Sequence, residues 1–255
     1  MYATAGRAGR LGQAAADVAT EEPVKRRRLV DEAQSGTIRA AVLGINDGLV
    51  TNVSLILGVA GANADAAFVR LAGLASLVAG AGSMAVGEYI SMQAQRELLE
   101  RVLSDTRTEM HERPKAMIEK LARVFERTGV HGDDALHAAE TVAADRQQAV
   151  ETYVRAGLGF NPDELGSPLA AALSSLVTFA LGALIPLLPW YFVSGDRAVL
   201  ASIVLGGISA LAIGAYLGRQ TGKGIIFSAV RQLIVLAIAA STTYLVGRLF
   251  QVPVH

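Results

Sequence analysis

Between Arg39 and Gly61 the chain stays apolar for long enough to cross a bilayer as one helix, yet Asn46 and Asp47 stand well inside that stretch. A hydrocarbon core of about 30 Å is crossed by about 20 helical residues. A carboxylate near its midplane costs roughly 2.5–3.5 kcal/mol even on the lenient insertion scales. A group that expensive is kept where it faces a partner, a cavity or an ion. Asp47 is therefore the first candidate site residue.

Four more apolar runs follow, and together they set the class. The spans read as about 37–62, 69–93, 168–193, 198–218 and 225–249. With 52% hydrophobic and 18% charged residues and a mean hydropathy of +0.39, the chain is expected to be an all-α, polytopic membrane protein with five transmembrane helices. A formal net charge of zero argues against nucleic acid as a partner. The absence of cysteine excludes disulfides, thiolate metal sites and cysteine catalysis. Twenty-six glycines suit close helix packing in lipid.

Residues 1–36 are polar and small, with one basic run, Lys25-Arg26-Arg27-Arg28. The apolar stretch beyond them is too long for a signal peptide and lacks a cleavage site after a short apolar core. They read as a flexible tail whose positive cluster holds the N-terminus in the cytoplasm. Residues 37–93 then hold spans one and two, and 167–255 hold spans three to five and a short C-terminal tail. Trp190 and Tyr191, at the end of span three, are expected in an interfacial aromatic belt.

Residues 94–166, between spans two and three, are too long and too periodic for a loop. Leu98, Leu99 and Val102 carry a helical stripe onward from span two. Pro114 breaks it, and Met117, Ile118, Leu121, Val124 and Phe125 give a second apolar face. Gly129 and Gly132 stop that helix, and a third runs from about Asp133 to Val154, with Leu136, Ala139, Val142, Ala143 and Val150 on one side. This is a three-helix subdomain. The basic run, the subdomain and the Arg219–Lys223 loop fall on one face, which the positive-inside rule makes cytoplasmic.

Span two supplies the remaining candidates. Ala75, Ala79, Ser83 and Gly87 form a small-residue ridge that lets another helix approach closely. Beside it lie Met84 and Glu88 at i, i+4, on one helix face. Carboxylate oxygens suit hard or borderline divalent ions, and a thioether shifts the preference toward softer ones. Asp47, Met84 and Glu88 together suit Fe²⁺ better than Ca²⁺ or Mg²⁺. The plain alternatives are packing for Met84 and an interfacial position for Glu88.

The stretch Arg39-Ala-Ala-Val-Leu-Gly-Ile-Asn-Asp-Gly-Leu-Val-Thr-Asn-Val-Ser-Leu55, with Ala79-Gly-Ala-Gly-Ser-Met-Ala-Val-Gly-Glu-Tyr-Ile-Ser91 and Leu181-Gly-Ala-Leu-Ile-Pro-Leu-Leu-Pro189, resembles the vacuolar iron transporter family. The resemblance runs from about residue 37 to 250. It implies a homodimer of five-span protomers that moves Fe²⁺ or Mn²⁺ out of the cytoplasm against protons. The metal is a transported substrate and no cofactor is implied. Asp47 and Met84 would be pathway ligands, with Glu88 at the cytoplasmic mouth.

The polar segment departs from that pattern. The family resemblance implies Glu-x-x-Glu on the helix leaving span two, another just after a proline, and Met-Met-x-x-Glu near the end of the third helix. Anchored on Pro114, this chain has Thr106 and Glu109, then Met117 and Lys120, then Tyr153, Val154 and Gly157. Only Glu109 matches. Glu109 with Glu112, Glu97 with Glu100, and Glu151 offer another arrangement, alongside His111, His131 and His137. Exposed acids and histidines are commonly just a solvated face, so the fold of the segment is expected to be kept and its metal cluster to be absent or much weaker. A non-transporting membrane sensor or assembly module is the competing expectation, and transport of another cation or small organic molecule a third. No nucleophile elbow, phosphate loop or zinc motif points to an enzyme. The Ala- and Arg-rich composition points to a bacterial plasma membrane, with a vacuole-type organelle as the alternative.

Overall fold

The computed structural model describes residues 36–62, 64–160 and 166–250; the basic run Lys25–Arg28 and the C-terminal tail lie outside them. Among the described residues the chain is helical, without strands. In order the helices are α1 (Gly36–Gly61), α2 (Ala66–Glu112), α3 (Pro114–Arg127), α4 (Asp133–Ala143), α5 (Arg146–Thr152), α6 (Pro168–Leu187), α7 (Asp196–Thr221) and α8 (Ile225–Leu249). Five of them, α1, α2, α6, α7 and α8, are long and apolar enough to cross a membrane. The chain is an all-α, multi-pass membrane protein. Contacts divide it into two compact units, Gly36–Met92 with Ser167–His255, and Gln93–Gly166.

In the first unit α1 is the central helix, packed along α6 and also against α8 and α7. Glycines make its seam with α6. A Cβ on Gly48 would overlap the Phe179 carbonyl, and one on Gly182 would overlap the Ile45 carbonyl. Lipid tails supply no hydrophobic drive between helices, so this backbone approach supplies the dispersion contact. Across the same seam the Asn52 amide donates to the Ala183 carbonyl at 2.5 Å.

Span three ends differently from the sequence expectation. The chain continues past α6 as a 3₁₀ turn, Leu188–Tyr191, and Trp190 turns inward, 2% exposed among Ile56, Val69, Leu187 and Ala198. Its Nε1–H donates to Ser202 Oγ at 3.0 Å, and that hydroxyl donates to the Pro186 carbonyl at 2.7 Å. A buried indole needs an acceptor, and α7 provides one. Tyr191 alone points outward.

α2 is the least covered of the five. Its apolar window is 17% buried by the chain, against 44% for α1 and for α6. Ala75, Ala79, Ser83 and Gly87, the small-residue ridge, are all exposed.

The second unit closes on Leu99, Met110, Met117, Leu121, Ala139, Val150 and Val154. α3 buries Met117, Leu121 and Val124, and Pro114 opens it at a position where its missing N–H costs nothing. The expected third helix is broken. Asp145 accepts from Gln147 N at 2.9 Å and Gln148 N at 3.2 Å, capping a new helix, α5. Within α4 the covered residues are Ala135 and Ala139, while Leu136 is 42% exposed.

Candidate metal pathway

Asp47 is the twelfth of the 26 residues of α1, about 17 Å from its first residue at 1.5 Å per residue. It is exposed, on a stripe with Arg39, Leu43 and Thr51 that the other described residues leave uncovered. The rotation of α1 is fixed by its neighbours. Asn46 accepts a hydrogen bond from the Gln232 amide of α8, and Gly44 and Gly48 lie against α6. With those positions turned inward, the 100° step between successive residues carries Asp47 outward. Thr51 Oγ1 donates to its Oδ1 at 3.4 Å. Among the described residues no lysine or arginine pairs with it.

Met84 and Glu88 lie on α2, antiparallel to α1. Met84 is half-buried and packs against Ala81, Phe179 and Ala183. Glu88 is buried, and Arg39 of α1 reaches it, Nη2 to Oε1 at 2.8 Å. The Met92 side chain lies over Gly36 in the same register. That register sets Met84 level with Leu43, one turn (~6 Å) from Asp47 toward the Glu88 end. Sequence reasoning misses Arg39 as a partner for Glu88, although the antiparallel run of α1 and α2 brings 39 and 88 abreast.

On the other side of Asp47, a groove of about 1000 Å³ begins at Val50 and Thr51 and runs to Asp65, walled by Phe68, Thr243 and Val246. Ser54 lines it, and its Oγ is buried without a hydrogen-bond partner. Asp65 caps α2 by accepting from Phe68 N at 2.7 Å.

Four of the five candidate acids of the second unit, Glu97, Glu100, Glu109 and Glu151, are engaged with protein groups. Lys120 Nζ donates to both oxygens of Glu109, at 2.6 and 2.7 Å. Gln93 donates to Glu97, Arg96 to Glu100 and Gln147 to Glu151, while Arg146 Nη1 lies 3.2 Å from His111 Nδ1. Glu112 is exposed and lines a shallow depression of about 280 Å³ with Asp105, Thr108, Glu109 and Arg113. Among the described residues no three acids or histidines converge as a metal site.

A family model described as the VIT family matches residues 38–248. The chain is 28% identical to vacuolar iron transporter 2 of Oryza sativa subsp. japonica over 231 residues, covering 88% of this chain and 94% of that protein. It is 35% identical to vacuolar iron transporter homolog 1 of the same plant, over 86% of this chain and 75% of that protein. It is 26% identical to vacuolar iron transporter 1 of Arabidopsis thaliana, over 84% and 86%. The match takes in the five helices long and apolar enough to cross a membrane and the candidate residues Asp47, Met84 and Glu88, and on that ground the chain belongs to the VIT family.

Proposed function

We propose that the protein is a proton-coupled transporter that carries Fe²⁺, and Mn²⁺ as a second substrate, out of the cytoplasm as a homodimer. The observation that carries the reading is Asp47: a mid-span carboxylate with no cationic partner among the described residues, on a face the chain does not cover. An acid in that position needs a cation, a proton or both. Met84 adds a soft donor one turn away, and Glu88 an acid at the cytoplasmic mouth. Protons and metal compete for a carboxylate, so a proton arriving from the far side helps discharge the ion.

The exposed ridge on α2 and the uncovered stripe of α1 support the dimer, because lipid is a poor neighbour for Asp47 and a second protomer a good one. The relatives named above are vacuolar by name, and export from the cytoplasm is the same direction of movement across a vacuolar or a bacterial plasma membrane.

The test is metal flux into proteoliposomes with and without a pH gradient. Wild-type protein is expected to take up Fe²⁺ and Mn²⁺ faster with the gradient, and Asp47→Ala to abolish uptake. Undiminished flux in Asp47→Ala sinks the reading. A membrane sensor or assembly module is favoured by one observation, that Lys120 already fills Glu109 in the second unit. Calorimetric titration showing no saturable, Asp47-dependent Fe²⁺ or Mn²⁺ binding would select it.

A further inference from the structure

We propose that Arg39 is the resident counter-ion of Glu88 and acts as a gate: an entering divalent cation must displace the guanidinium before it can pass to Asp47. The inference rests on the transport reading and deepens it, giving the entrance a residue that selects by charge.

The pair is asymmetric. The Glu88 side chain is 10% exposed and that of Arg39 54%. A carboxylate so enclosed needs a compensating charge, and Arg39 is the cation beside it among the described residues. The contact is a single one, Nη2 to Oε1 at 2.8 Å, which leaves most of the guanidinium's five donors uncommitted to Glu88. A long stem lets the half-exposed head withdraw to water while the acid stays in place. The fixed partner is the acid and the movable one is the base.

The pair also crosses between α1 and α2, and α2 is the span with the least cover. A divalent ion brings two charges to Glu88 where the guanidinium brings one. A monovalent ion has no such advantage over a cation tethered at high effective concentration. Arg39 and Asp47 are eight residues apart on one stripe of α1, about 12 Å along its axis. Once the ion has reached Asp47, the guanidinium returns to Glu88 and its charge opposes backflow.

Mn²⁺ flux into proteoliposomes tests the gate. In Arg39→Gln the half-saturating Mn²⁺ concentration should fall about tenfold, the effect of one removed charge at short range. The maximal rate should fall as the ion lingers at Glu88, and excess Na⁺, harmless to wild type, should now compete. Arg39→Lys should lie between the two. A half-saturation for Arg39→Gln within about twofold of wild type, in protein with the wild-type elution profile, overturns the gate. If Arg39→Gln does not fold, Arg39→Lys decides: a lowered half-saturation supports the gate and an unchanged one overturns it. Wild-type protein that carries neither Fe²⁺ nor Mn²⁺, or carries them equally well as Asp47→Ala, removes the transport reading and the gate with it. Asp47-dependent flux that no Arg39 variant alters removes the gate alone.

Discussion

Lys120 lays its ammonium against both carboxylate oxygens of Glu109, at 2.6 and 2.7 Å, and so joins the end of α2 to α3 through a cation that belongs to the chain. Each side chain is about one-third exposed, so solvent screens the pair. Its contribution to stability is about 1 kcal/mol or less. Glu109→Ala is expected to leave metal flux within about twofold of wild type and to lower the unfolding midpoint slightly. A flux loss as deep as that of Asp47→Ala would show that the second unit handles the ion.

Ser202 both receives the Trp190 N–H and donates to the Pro186 carbonyl. Ser202→Ala leaves both groups buried and unpaired, at about 1–3 kcal/mol for each. The expected result is a lowered midpoint with Trp190 emission moved to the red. Trp190 is the only tryptophan of the chain, so its fluorescence reads this corner alone. Unchanged emission and midpoint would mean that water substitutes for the hydroxyl.

Ser83 sits on the exposed ridge of α2, between Ala79 and Gly87, and a Cβ added at Gly87 meets nothing within 4 Å. Ser83→Trp should therefore leave the protomer folded and block the approach of a second one. Light scattering on the detergent-purified protein is expected to show a dimer for wild type and a monomer for the variant, with flux lost. A dimeric Ser83→Trp protein would move the interface elsewhere.

The spans could be read from the sequence because each is a long apolar run whose ends carry ordinary signals, such as Ser167 before Pro168. Asp47 was legible for the opposite reason, as an acid in the middle of such a run. What escaped depended on partners far along the chain. Trp190 was placed at the interface because its acceptor, Ser202, belongs to the next helix. The break at Asp145 escaped because an acid inside a helical pattern reads as surface until its side chain is seen to cap. Lys120 was read only as a missing glutamate, and its positive charge as the partner of Glu109 went unnoticed. Arg39 was passed over because its role needs the register of two antiparallel helices as well as the period of one.

Gly48 and Gly182 put bare backbone against backbone where α1 crosses α6. Helices separated by interleaved side chains can slip as rotamers change, but two main chains in touch have no such cushion and must part before they can slide. α1 is in that sense a stationary post, anchored with its acid already aimed. On the proposed transport reading, any motion that opens Asp47 to the two sides of the bilayer in turn falls to its opposite flank, where α2 has the least cover within the protomer.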